Sequence, residues 1–249
     1  MPSNGILSQR AASFRGAASS EFDKALRELI DLAFRYREMG ADFLWERDPD
    51  LYDESIRICR DLSDALSEKA MAIARGIFED SLDDYDFDDA WDRGEGEEYV
   101  PLITRFDMQG THLLELLEIW VALAFVNKVS KGELRVLVSR FLSNPFASPL
   151  WRGLPLDILK WGRGYSRNII DQLTVIGQNA IISAYRYAEW QQARADGAGY
   201  YIRRRGSDYH CPECDSLCGY PIPIDTPFDY VHSRCMCWPE YHYEPMPDV

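Results

Sequence analysis

The sequence predicts a mainly α protein: an N-terminal helical bundle, then a long helix and a small C-terminal α+β module built on a β-hairpin. Three observations carry that prediction. Apolar residues recur at three- and four-residue spacing through two long segments, the pattern of helices that bury one face, and a third segment is apolar on nearly every side. Two short aromatic runs near the C-terminal end alternate as strands do. Five of the six cysteines fall between Cys211 and Cys237, where a loop-rich module would need a staple.

The chain divides accordingly. Residues 1–20 hold no acidic residue and no evident apolar stripe, and read as a flexible arm. Residues 21–148 read as the bundle. Its first helix begins at Glu21 and buries Phe22, Leu26, Leu29, Ile30, Ala33 and Phe34. Asp48-Pro49-Asp50 interrupts the pattern. A second helix then carries Leu51, Ile56, Cys59, Leu62, Leu66, Met71, Ala74, Ile77 and Phe78, with Cys59 as a core residue. Thr111–Val129 is apolar on nearly every side, as expected of a helix in the middle of a bundle. Lys131–Leu142 follows, and Asn144-Pro145 ends it. Residues 149–165, punctuated by Pro149, Gly153, Pro155, Gly162 and Gly164, form the linker to residues 166–249. There a long helix, Ser166–Arg194, stops at Gly197-Ala198-Gly199. Tyr200–Arg205 and Trp238–Tyr243 read as strands, and Pro221, Pro223 and Pro227 stiffen the connection between them.

Charge is concentrated in one place. The chain of 249 residues carries a net −14, and its isoelectric point is near 4.7. Residues 79–98 hold eleven acids against the single Arg93, a net −10. Such a balance argues against broad attraction to nucleic acid or to an anionic membrane. From Asp84 the acids fall at positions one, three, five, nine and twelve of a calcium-binding EF-hand loop, but Asp89 stands where the sharp turn requires glycine. A solvated acidic loop docking on a basic protein surface is the better reading, with Phe87 and Trp91 as its contacts. No secretory signal is visible. The longest purely apolar run, Ile119–Val126, falls well short of the roughly 18 residues that span a bilayer. A soluble chain in a reducing compartment is expected, which favours a metal over disulfides for the cysteines.

Cys211-Pro212-Glu213-Cys214 and, further on, His232-Ser233-Arg234-Cys235-Met236-Cys237 supply more than four soft ligands for one tetrahedral zinc ion. Cys211 and Cys214 are the firm pair, since a two-residue spacer lets a tight turn aim both sulfurs inward. His232, Cys235 and Cys237 compete for the other two places. Alternate residues of a flat strand face opposite ways, so Cys235 and Cys237 share a metal only where the chain turns. Cys218, before Gly219, reads as a spare thiol, and His210 as a turn or surface residue. Disulfides and a core thiol cluster are the alternatives to structural zinc.

This stretch resembles the signature of the Mu F-like minor head proteins, the phage head morphogenesis family of tailed bacteriophages. That family carries a C-x2-C, a short hydrophobic or glycine segment, a connection with aspartate and proline, and a histidine-led H-P-x-C-R-C ending. The counterparts here are Cys211–Gly219, Ile224-Asp225-Thr226-Pro227 and His232–Cys237. Upstream, a long helix containing Ala184-Tyr185-Arg186-Tyr187-Ala188 leads into Tyr200–Arg205, the family's usual approach to its cysteines. The resemblance covers roughly residues 166–243. Ser233 stands in place of the usual proline, and Ile176-Gly177-Gln178-Asn179 where the family often has arginine and glutamate. The resemblance implies a minor capsid component of a phage or prophage head, associated with portal or capsid proteins and acting in assembly or DNA delivery. It implies residence in the virion, and in host cytoplasm during assembly. Some relatives carry a toxin or enzyme domain after the cysteines, which is not expected in the few residues that follow Cys237.

Other chemistry finds little support. There is no Walker loop, no dinucleotide-binding glycine pattern and no H-E-x-x-H. A zinc deaminase would need proline before Cys211 and an upstream H-x-E. A thiol oxidoreductase would need a helix opening at Cys211, whereas Pro212 and Gly219 suggest a knuckle. No catalytic residue is expected. The remaining alternatives are a zinc-containing nucleic-acid-binding regulator, using Arg203-Arg204-Arg205, and a metal-dependent hydrolase. A DNA reader of this size should be basic, so nucleic-acid binding is expected to be weak. The three arginines are better explained by ion pairs with Asp208, Glu213 or Asp215.

Overall fold

The structure, a computed structural model, describes residues 4–82, 86–95, 102–143, 169–206, 211–228 and 237–247. Among these residues it contains eight α-helices and a small three-stranded antiparallel sheet near the C-terminal end, so the fold is mainly α with an α+β module. The helices are α1 (Asn4–Ala12), α2 (Phe14–Arg35), α3 (Pro49–Glu79), α4 (Phe87–Glu95), α5 (Leu102–Val126), α6 (Lys131–Ser143), α7 (Ile169–Ala195) and α8 (Pro212–Leu217). The strands are β1 (Tyr200–Arg204), β2 (Pro221–Pro223) and β3 (Trp238–His242). Two compact units are interleaved along the sequence: one takes Met1–Phe14, Glu68–Leu102 and Val175–Val249, the other Arg15–Ser67 and Ile103–Thr174.

In the second unit, helix boundaries follow from capping. The Asp48 carboxylate accepts the Leu51 amide at 3.0 Å and Pro49 takes the first turn of α3, so the predicted break is a helix start. Before α6, Ser130 and Glu133 form a reciprocal capping box: the Ser130 amide donates to Glu133 at 2.9 Å and the Glu133 amide to Ser130 Oγ at 3.3 Å. The core centres on Phe43, whose ring meets Trp45 and Phe125 edge-on at 5.0 and 5.6 Å. The Trp45 indole N–H donates to the Leu114 carbonyl at 2.8 Å. Cys59 is a core residue, as predicted. A Cβ on Gly110 would stand 3.0 Å from its own, and burial, with Asp107 adding, pushes its thiol up to about 12. By length and composition α5 is apolar enough to cross a membrane. Within its unit it buries Leu113, Leu117, Trp120, Val121 and Ala124 in the core.

Three expectations about the helices change. Residues 1–20 are not read correctly as an arm: α1 and the start of α2 bury Leu7, Ala11, Phe14 and Ala18. Those positions have helical spacing, but half are alanine, and small residues make a faint stripe. On α3 the buried face takes Ser55, Ile58, Ser63 and Ala70, while Ile56 is half-buried and Met71 exposed. Following the large residues alone displaces the stripe. The third concerns the acidic segment. Phe87–Glu95 is helical, started by Asp86, whose carboxylate accepts the Asp89 amide at 3.0 Å. A helix through the last nine positions of the candidate calcium loop is incompatible with an EF-hand. Asp83 and Asp84 lie outside the described residues, as does the linker 149–165.

Phe87 and Trp91 are not contacts awaiting a partner. Both are buried in their own unit, where Phe87 packs edge-on against Phe78 at 5.1 Å and lies under the Arg75 guanidinium at 4.0 Å. Phe78 in turn meets Tyr185 of α7 at 5.7 Å.

Helix α7 ends as its glycines predict. Gly197 has φ +87, its amide donates to Arg194 at 3.1 Å, and the Ala198 amide donates to Ala193 at 2.9 Å, a Schellman cap. The turn delivers the chain into β1, the central strand of the order β2-β1-β3. Tyr201 lies opposite Ile222 on one side and Tyr241 on the other. Pro221 and Pro223 are tolerated in β2 because it is a short edge strand. The module seals onto α7 through Trp190, Tyr201 and Phe228, and the Trp190 indole donates to the Ile224 carbonyl at 2.8 Å. The two predicted strands pair antiparallel as β1 and β3, and the segment that connects them adds a helix, α8, and a third strand, β2, on the other edge of β1.

Candidate functional site

The cysteines are arranged by α8. Cys211 is its N-cap, in extended conformation, and Pro212 occupies the first turn, where a missing amide hydrogen costs nothing. The Asp215 amide donates to the Cys211 carbonyl at 2.8 Å, closing the first turn. Cys214 follows one turn on, and Cys218 is the C-cap. Spacings of three and four residues put Cys211, Cys214 and Cys218 on one side of a helix. Gly219, at φ +89, then turns the chain, and its amide donates to the Arg203 carbonyl at 3.0 Å. Cys237 arrives from the other direction, immediately before Trp238, which pairs with Arg204 across the sheet.

Cys214 and Cys237 are buried together, and Cys211 and Cys218 pack against them. The Sγ atoms of Cys218 and Cys237 are 3.9 Å apart. That is far beyond the roughly 2.05 Å of a disulfide, and no disulfide joins the described cysteines. Burial pushes the Cys218 thiol up to about 11, and the neighbouring Cys237 adds to the effect.

Of the residues predicted as metal ligands, Cys211, Cys214 and Cys237 are brought together. His232 and Cys235 lie outside the described residues, as does His210. Cys218, read as a spare thiol, belongs to the cluster. Its signal is the three- and four-residue spacing from Cys211 and Cys214, which gathers the sulfurs on a helix but not in a knuckle. Among the described residues no three His, Cys, Asp or Glu side chains already stand in metal-holding geometry. The donor set is nonetheless soft and gathered, which suits zinc over magnesium or calcium.

The arginines beside the cluster are engaged in the fold. Arg205 pairs with Asp215 of α8, and Arg204 with Glu240 of β3. Arg203 is buried, its guanidinium 4.1 Å from the centre of the Phe228 ring. Asp215 is among the partners anticipated from sequence.

No family model, curated protein or solved structure matches the chain.

A second polar group is enclosed in the same unit. Arg186 and Glu189 of α7 pair at 2.6 Å with side chains only 6% and 5% exposed. Burial pushes the Glu189 carboxyl upward, against the pull of Arg186. The Tyr241 hydroxyl, buried nearby, is pushed strongly upward by burial and by Glu189. The sequence gives no sign of this enclosure, because an Arg and a Glu three apart on a helix usually mark a solvated face.

The cluster can crosslink α8 to the start of β3. His242, stacked on Tyr200 at 4.6 Å and paired with Glu244 at 3.2 Å, is engaged with the sheet edge.

Proposed function

We propose that the chain is a structural and assembly protein of a phage or prophage head, a minor capsid component held by portal or capsid proteins, with a C-terminal module crosslinked by structural zinc. One observation carries this reading most. Residues 169–242 run as a long helix, a strand, a cysteine cluster and a closing strand, the order in which the residues resembling the head morphogenesis family occur. The zinc would hold Cys211, Cys214 and Cys237 and give a small sheet, with little core of its own, the rigidity that its hydrogen bonds do not supply. Partner binding would use exposed carboxylates such as Glu79, Asp80, Asp88 and Asp92 rather than Phe87 and Trp91, which are buried in the core.

The experiment is co-expression with the neighbouring portal and major capsid genes, followed by protein analysis of purified particles. A few copies of this chain per particle are expected, and deletion should leave shells that assemble but infect poorly. Genomic neighbours without a terminase, portal or capsid gene, or particles that exclude the chain, would refute the proposal. Tight, salt-resistant DNA binding by the isolated protein would instead favour a regulator.

A second reading is favoured by one feature: α8 opens at Cys211, with proline next, the layout that a redox-active C-x2-C uses. Against it, Cys214 and Cys237 are buried together with Cys218 beside them, which is the environment of a structural cluster. A reversible Cys211–Cys214 disulfide with a measurable potential would support this reading.

A further inference from the structure

We propose that Cys218 is itself a metal ligand, completing a four-sulfur centre with Cys211, Cys214 and Cys237, in the place that the sequence offers to His232 or Cys235. The inference rests on the zinc reading of the module and names a ligand that the sequence pattern leaves aside.

The first support is a distance. Two thiolates each about 2.3 Å from a tetrahedral zinc stand roughly 3.8 Å apart. The Cys218 and Cys237 sulfurs are 3.9 Å apart, the length of one edge of that tetrahedron and nearly twice a disulfide bond. The second support is the helical stripe. Cys211 and Cys214 precede Cys218 by seven and four residues along α8, and the same two cysteines join Cys218 and Cys237 in one cluster.

The third is that Cys218 is held in place from both sides, by a side-chain ion pair before it and a backbone hydrogen bond after it. Asp215, one turn earlier, pairs with Arg205, and the Gly219 amide bonds to the Arg203 carbonyl. A spare surface thiol would need neither. Four thiolates around one Zn²⁺ leave a net −2, and Arg205, paired with Asp215 three residues before Cys218, places a cation beside α8. Metal binding exchanges the thiol protons for the ion and is expected to draw Cys211 and Cys214 in toward the Cys218–Cys237 edge.

The test uses the full-length chain, loaded with zinc or with cobalt(II) as a spectroscopic replacement. In the unmutated protein, zinc should protect Cys218 from alkylation, read peptide by peptide by mass spectrometry. Cys218→Ala should lose one thiolate's share of the sulfur-to-cobalt charge-transfer band and hold zinc roughly tenfold or more weakly against a competing chelator. Cys235→Ala should change neither. A Cys218 that alkylates freely in the zinc-loaded protein, or a full band in Cys218→Ala with loss in Cys235→Ala, overturns the assignment while the zinc reading stands. Failure of the unmutated protein to bind zinc or cobalt overturns both.

Discussion

A Cβ built on Gly177 would stand 2.1 Å from Cε1 of Phe14, a fully buried ring, so α7 carries glycine where the ring must sit. Gly177→Ala should lower stability by about 1–3 kcal/mol in urea denaturation, because overpacking outweighs the gain of about 1 kcal/mol in helix propensity. A more stable variant would show that Phe14 has room to move. The Arg186–Glu189 pair makes an equally local prediction. Removing one partner leaves a charge buried alone, so Arg186→Met should cost about 3–5 kcal/mol, while Arg186→Met with Glu189→Leu should be near neutral. The sign of its pH dependence follows from burial. The folded state holds the Glu189 proton more tightly than the unfolded chain does, so this group's contribution to stability is present at low pH and is lost as pH rises through its raised pKa. Stability measured against pH for the parent, minus that of the double variant, should therefore decline from about pH 4.5 upward.

Helix ends in this chain are set by single side chains, and the acidic segment is where that matters most. Its carboxylates differ in role although they look alike in sequence. Asp86 caps α4, so Asp86→Ala should destabilise by about 0.5–2 kcal/mol. Asp88 only faces Arg75 at 3.6 Å from a largely exposed position, and Asp88→Asn should leave the melting temperature unchanged. The two results together would separate the segment's folding role from the partner role proposed for its remaining charge. If Asp86→Ala proved neutral, α4 would be held by Phe87 and Trp91 alone. Helix α8 follows the same logic: too short to be stable by propensity, it depends on Pro212, the Arg205 pair and the sulfur cluster around it.

The chain's two compact units give the metal proposal a consequence that one measurement can read. All the clustered cysteines belong to the unit that contains Val175–Val249. Stripping the metal with a strong chelator should accelerate amide exchange across residues 200–242 while residues 15–67 keep their protection. Cys214→Ser should do the same without chelator. Unchanged exchange in both experiments would mean that the sheet stands on Trp190, Tyr201 and Phe228, with the thiols as ordinary core.

Periodicity, breaker residues and glycine punctuation are enough to read the helical class, the interruption at Asp48-Pro49, the glycine stop of α7 and the strands around the cysteines, because each depends on neighbours a few residues away. Periodicity likewise places Cys59 in the core, and the residue count places most of the net negative charge in one segment. The rest depended on contacts between distant residues. Leu7, Ala11 and Phe14 look unremarkable until Gly177 opens a seat for the ring. Phe87 and Trp91 look like a docking surface until Phe78 covers one of them and Arg75 lies over its face. Cys218 looked surplus because a knuckle and a helix give the same C-x2-C spacing, and only the helical turn carries the third sulfur to the others. Arg186 and Glu189 look solvated because their enclosure comes from elements far along the chain. Local physics writes its signals in adjacent residues, whereas burial is conferred by whatever packs on top.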